Sequence, residues 1–143
     1  MIAKTTVLLA ASLLASFAMA EGCEVSTRST AADDINAVTR KSCYEFKGMP
    51  AGSINWSCSN ESQQMLATTK HKVAACDDGY DASCSASMTQ ATVTNHKAVG
   101  VSGSDEVKIP AEARVVTYYY SLENRSQAKD DCERSGGKWQ DHP

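Results

Sequence analysis

The hydrophobic positions of this chain change character near residue 20. Before it, "TTVLLAASLLASFAM" is almost continuously apolar; after it, hydrophobic residues come singly or in short alternating runs, and none approaches a membrane span of about 20 residues. The clearest pattern lies in "VVTYYYSLENRSQAKDDCERSGGKW", from Val115 to Trp139. Val115 to Tyr120 is rich in β-branched and aromatic residues and predicts a strand. Asn124 with Gln127 three residues on is a capping pair, because the Asn side-chain oxygen accepts a free amide of the first helical turn. The spacing predicts a helix from about Arg125 to Ser135, with Ala128 and Cys132 (i, i+4) as its narrow apolar stripe. Gly136-Gly137 supplies the left-handed conformation that ends a helix, and Trp139 follows as the start of a short edge strand or as an anchor.

The same order of features recurs upstream. Shifted by 74 residues without gaps, Tyr118 falls on Tyr44, Tyr120 on Phe46, Ala128 on Ile54, Cys132 on Cys58 and Trp139 on Met65. Pro50 then takes the first helical position, where its missing N–H costs nothing. Cys23-Glu-Val-Ser26 and Cys84-Ser-Ala-Ser87 each open an alternating, strand-like run. Two pseudo-repeats result, at about 23–66 and 84–140, each with two strands, one helix and a short third strand. The expected fold is therefore a small α+β, disulfide-stabilised domain. The second copy carries about 13 extra residues within Thr92 to Pro110, where Gly100, Ser102, Gly103, Ser104 and Asp105 predict a mobile loop. Strand side chains alternate between faces, so the alignment sets Glu45 against Tyr119. A glutamate is rarely buried without a partner. Tyr118 and Tyr120 are thus expected against the Cys132 helix, with Tyr119 outward as the candidate binding face.

The apolar start is a secretion leader in form. Lys4 provides the positive end and Ala18-Met19-Ala20 the small-x-small cleavage site, so residues 1–20 read as a signal peptide cut after Ala20. Residues 21–143 then form one domain of 123 residues, which keeps all six cysteines: Cys23, Cys43, Cys58, Cys76, Cys84 and Cys132. An even count behind a leader implies three disulfides in an oxidising compartment, periplasmic or extracellular. Of the fifteen pairings, the repeat selects Cys23–Cys58 and Cys84–Cys132, which leaves Cys43–Cys76 to join the units. The core is thin, with one Phe (Phe46) and two Trp in residues 21–143, so the bridges are needed. Without Lys4 the chain has 13 basic and 17 acidic residues, net −4, scattered with no basic run, which argues against nucleic acid and anionic lipid as partners.

The cysteine and aromatic motifs also resemble a group of sequences. "Cys43-Tyr-Glu-Phe46", "Trp56-Ser-Cys58", the Cys76 to Cys84 stretch ending in Ala-Ser-Cys, "Tyr118-Tyr-Tyr120" and "Cys132-Glu-Arg-Ser-Gly-Gly-Lys-Trp139" are similar to the pattern of small secreted bacterial Cys-rich proteins of unassigned function. The similarity spans about two thirds of the chain. It departs where the first copy lacks Gly-Gly and where a Pro usually follows the middle Cys. It implies a fold and carries over no activity.

Candidate chemistry is sparse. His71, His96 and His142 lie about 25 and 46 residues apart, too far in sequence to suggest a metal site. "Asp77-Asp78-Gly79-Tyr80-Asp81" lacks the alternating acidic ligands of a calcium loop and reads as a tight turn. There is no Gly-x-Ser-x-Gly, no Cys-x-x-Cys, and bridged cysteines provide no thiolate. Asp33-Asp34 are adjacent acids of an exposed turn. Asn60-Glu-Ser62 and Asn124-Arg-Ser126 fit the glycan acceptor pattern, without meaning in a bacterial protein. What remains is aromatic: Trp56, Tyr80, Tyr118 to Tyr120 and Trp139 either pack the core or line a binding face. The expectation is a secreted or periplasmic non-catalytic binding or structural module for a protein or glycan partner, with no cofactor and no metal. The alternatives are a small secreted enzyme or toxin-like effector, and a metal-binding periplasmic protein.

Overall fold

The structure, a computed structural model, describes residues 21–28, 39–59, 68–90, 92 and 108–143. The leader, Asp33-Asp34, Asn60, Met65, His96 and the body of the glycine-serine loop lie outside the described residues. Six strands form one antiparallel sheet: β1 (Glu21–Arg28), β2 (Thr39–Lys47), β3 (Thr68–Val73), β4 (Ala82–Ser87), β5 (Arg114–Tyr119) and β6 (Lys138–Asp141). A helix, α1 (Arg125–Arg134), joins β5 to β6. The strand order is β3-β1-β2-β5-β4-β6. Thus β1 lies between β2 and β3, β4 lies between β5 and β6, and the halves meet where β2 pairs with β5.

The α+β expectation is corrected here. The described chain is mainly antiparallel β-sheet, and the helix expected after Pro50 is absent. Residues 51–58 are consecutive turns. The cause is local. Gly52 has a left-handed φ of 85°, which an α-helix does not accept. Ser53, Ser57 and Ser59 each donate their hydroxyl to the carbonyl three residues back, at Pro50, Ile54 and Trp56. Such side-chain bonds offer the backbone an alternative to the helical ladder. By contrast, α1 matches its local signals. Asn124 caps it, its side-chain oxygen accepting from the Gln127 amide at 3.0 Å. At the other end Gly136 (φ 78°) donates to Glu133 O and Gly137 to Cys132 O, the paired bonds of a Schellman stop.

The two faces of the sheet are covered differently. On one face the turns 51–58 lie over β1 and β2, held by the Cys23–Cys58 bond. Ile54 is fully buried there with Phe46, Cys23 and Met88, and this cluster is the core. Polar ties fasten the turns: Gly52 N–H donates to Glu21 at 2.7 Å, Tyr44 Oη bonds Ser57 Oγ at 2.9 Å, and Lys70 Nζ donates to Ser57 O at 2.7 Å. On the same face α1 lies over β4 and β6, tied by Cys84–Cys132. Cys132 is its one buried residue. Gly137 passes directly beneath this bond: a Cβ there would sit 2.8 Å from both sulfurs and 2.9 Å from Cys132 O.

The opposite face carries a strap. Between Val73 and Ala82 the chain has eight residues to travel from β3 to β4, four strand spacings away, or about 19 Å. Eight residues reach at most about 29 Å, so the strap spans the sheet with length left for a bend. It crosses β1 at Gly22, where a Cβ would meet Val73 Cγ2 at 2.9 Å and Cys76 N and Sγ at 3.3 Å. Cys76 then bonds Cys43 on β2. Glu45, only 5% exposed, accepts the Cys76 amide at 2.8 Å and the Tyr118 hydroxyl at 3.2 Å, with Lys47 Nζ 3.3 Å away. Tyr120 Oη donates to Asp77 O, and Tyr80 packs on Tyr118 at 4.7 Å between centroids.

This arrangement reverses the expected faces of the tyrosine run. Tyr119 lies on the helix side; Tyr118 and Tyr120 lie under or beside the strap. The reason is register. In β1 and β2, Cys23 stands opposite Tyr44, whereas in β4 and β5, Cys84 stands opposite Thr117. Measured from the bridged cysteine, Thr117 therefore takes the place of Tyr44, and Tyr118 that of Glu45. The constant 74-residue shift is off by one in the strand, and one residue exchanges the faces. Glu45 is buried because the strap and Tyr118 partner it.

Candidate functional site

Beside α1 the helix-side face holds a trough, along the ends of β2 and β5. Its larger part has a volume of about 380 Å³ and is walled by Arg40 and Ser42 of β2, the turn Ser121 to Asn124, and Gln127, Ala128 and Asp131 of α1. A second hollow of about 230 Å³ runs under the helix, lined by Ala86, Val115, Thr117 and the Cys84–Cys132 bond. Tyr119 and Asp131 line both. Tyr119 is thus the floor where the two hollows meet.

Each wall is positioned by a local cause. Tyr119 is the last residue of β5, opposite Ser42 on one side and Ala82 on the other. Small neighbours on both sides leave its ring room. Trp139, opposite Cys84 on β6, packs on Tyr119 at 5.4 Å and fixes it from behind. Trp139 is itself held by its indole N–H, which donates to Asp141 at 3.0 Å. Gln127 and Asp131 share a helix face through their i, i+4 spacing, and Gln127 Nε2 donates to Asp131 Oδ1 at 2.9 Å. The charges are matched: Arg40 pairs with Glu123 across the mouth, and Asp131 faces Arg134 at 3.7 Å. Lys41 contributes backbone here. Its amine lies on the strap side, 3.3 Å from Glu24 and 5.2 Å from the Tyr120 ring centroid. Burial, and after it the nearby charge of Asp131, pushes the Tyr119 phenol above its ordinary pKa.

The three bridges, Cys23–Cys58, Cys43–Cys76 and Cys84–Cys132, are the pairing the repeat selected. Each has its Cα atoms 5.6 to 5.9 Å apart, within the ordinary range. The aromatic residues singled out from sequence do not form one face. Tyr119 and Trp139 meet on the helix side, Tyr80, Tyr118 and Tyr120 on the strap side, and Trp56 stands 43% exposed on the turns. His71 lies on edge strand β3 and His142 packs against Tyr80 at 4.7 Å. Among the described residues no three His, Cys, Asp or Glu gather as a metal site. Asp77 to Asp81 belong to the strap, with Gly79 (φ 92°) making its bend. Arg40, Glu123 and Asp131 escaped sequence reasoning, because strand pairing brings together positions over 80 residues apart. Only the Gln127–Asp131 spacing marked a shared face.

No family model, curated protein or solved structure matches this chain.

Proposed function

We propose that this protein is a secreted or periplasmic, non-catalytic binding module that holds its ligand in the trough over Tyr119. The observation that supports this is a concave site with an aromatic floor and a few convergent polar side chains, the usual composition of a small-ligand site. Its volume lies near the lower end of the range for such sites, about 300–1,000 Å³. The carboxylates on its walls are exposed and already engaged, Glu123 with Arg40 and Asp131 with Gln127 and Arg134. A general acid needs the reverse, a carboxyl desolvated and poised. The bridges fit an oxidising compartment, and the leader, cut after Ala20, would deliver the chain there. Among the described residues no helix is long and apolar enough to cross a membrane. On the same reading the two halves of the sheet are degenerate copies of one unit, in keeping with the resemblance to small secreted Cys-rich bacterial proteins.

The test uses isotope-labelled 21–143 protein, observed by NMR while small saccharides, blocked peptides and nucleosides are added singly. Shifts centred on Tyr119, Gln127 and Asp131 with at least one class are expected, and no turnover of ester, glycoside or peptide substrates. Turnover that disappears on changing a trough residue would overturn the non-catalytic reading. Shifts confined to the strap face, or none at all, would overturn the site.

A further inference from the structure

We infer that the ligand of the Tyr119 trough is a neutral saccharide of one or two rings; the inference rests on the binding reading above. Three features of the walls select this class. First, the strands under the trough are interior. β2 is paired on both sides by β1 and β5, and β5 by β2 and β4. Their backbone groups are consumed by the sheet, so an extended peptide finds no strand edge to join. Recognition must run through side chains. Second, no charge on the walls stands without a counterpart: Arg40 meets Glu123, and Asp131 meets Arg134. An anionic or a cationic ligand would meet wall charges already offset by a neighbour of opposite sign, and would gain little from them. A neutral ligand keeps both pairs and uses their remaining lone pairs and N–H groups. Third, the surface is divided. Tyr119, Leu122 and Ala128 offer an apolar patch, while Ser42, Gln127 and Asp131 offer hydrogen-bond donors and acceptors around it. A pyranose has the matching division, with C–H groups on one face of its ring and hydroxyls, each both donor and acceptor, at its rim. Stacking of the C–H face on Tyr119 and hydrogen bonds from the rim to Gln127 and Asp131 would satisfy both parts.

The experiment titrates the labelled 21–143 protein with cellobiose, maltose, N,N′-diacetylchitobiose and, separately, a neutral blocked tetrapeptide. At least one disaccharide is expected to shift the Tyr119, Gln127 and Asp131 signals saturably, with dissociation constants no weaker than millimolar. Gln127→Ala, on the exposed helix surface, should weaken that disaccharide fivefold or more without altering the spectrum elsewhere. Tyr119→Ala should weaken it more than tenfold, provided its spectrum retains the dispersion of a folded sheet. The same binding should hardly change between low and high salt, because no net charge is exchanged. Shifts with the tetrapeptide and with none of the sugars would overturn the saccharide class and leave the binding site standing. An unaffected Gln127→Ala, or binding that falls steeply with salt, would likewise overturn the assignment. Silence from every probe would overturn the binding reading with it.

Discussion

Gly137→Ala tests how α1 is attached to the sheet. A methyl group at this position would lie 2.8 Å from the sulfurs of Cys84 and Cys132 and 2.9 Å from Cys132 O. None of these atoms is the free end of a flexible side chain, so the bridge or the helix end must shift. Overpacking of this kind costs about 1–3 kcal/mol, and the rigidity of the neighbours places Gly137 in the upper half. Alanine also loses less chain entropy on folding than glycine, which returns about 0.4–1 kcal/mol. The net loss is about 1–2.5 kcal/mol. Gly136 next to it is required for another reason: nothing lies within 4 Å of its would-be Cβ, but its φ is 78°. Gly136→Asn should therefore be milder than Gly136→Ala, since Asn visits the left-handed region more readily, whereas Gly137→Asn should be worse than Gly137→Ala. The decisive measurement is a double-mutant cycle by urea unfolding, followed by tryptophan fluorescence, with Cys84→Ala/Cys132→Ala as the second change. Removing a bridge of sequence separation 48 costs about 4 kcal/mol by loop entropy, against a total of about 5–15 kcal/mol for a domain. NMR dispersion of the bridge-free protein must be confirmed first. In that background the two sulfur clashes are gone, and the Gly137→Ala penalty should shrink by half or more. An undiminished penalty would refute the account of why glycine stands there.

Other consequences follow from the strap and the tyrosines. Glu45→Leu removes the acceptor of the half-buried Cys76 amide and Tyr118 hydroxyl and should cost about 1 kcal/mol or more in total, the low end of the penalty for an unpaired donor; denaturant midpoints equal to wild type would contradict the structural role of Glu45. Gly22→Ala should destabilise as well, by about 1–3 kcal/mol, because the strap passes over β1 at that residue; calorimetry of the variant checks it. Burial, with help from Asp77 and then Glu24, raises the Tyr120 phenol to about 12. In the unfolded chain a tyrosine ionises near 10, so the folded state holds its proton longer. Stability is therefore complete below pH about 10 and falls as pH rises from there toward 12. Tyr120→Phe should flatten that alkaline slope, as read from unfolding curves between pH 9 and 12, and an unchanged slope would remove Tyr120 as its source.

The C-terminal unit was legible in the sequence because its determinants are local. Asn124 bonds a residue three positions away, and Gly136 and Gly137 close the helix with its own last turn, so no distant partner is needed. The cysteine pairing was legible for a different reason: the expected repeat matched Cys23 with Cys84 and Cys58 with Cys132, and the third pair followed by elimination. The turns after Pro50 show the limit of such reasoning. A repeat alignment predicts a helix there, but Gly52 takes a left-handed φ and three serine side chains bond the backbone locally in another way. Tertiary structure alone decided which face of β5 meets the helix. A strand of alternating side chains is indifferent to its own facing until a partner fixes the register, and here Cys84 opposite Thr117 moved it by one residue from the expected alignment. The same pairing decided the fate of Glu45, since its burial depends on a strap that reaches it from β3 and on Tyr118 from β5. The trough is likewise a tertiary product: Arg40, Tyr119 and Asp131 become neighbours only when β2 pairs with β5 and α1 folds back over them.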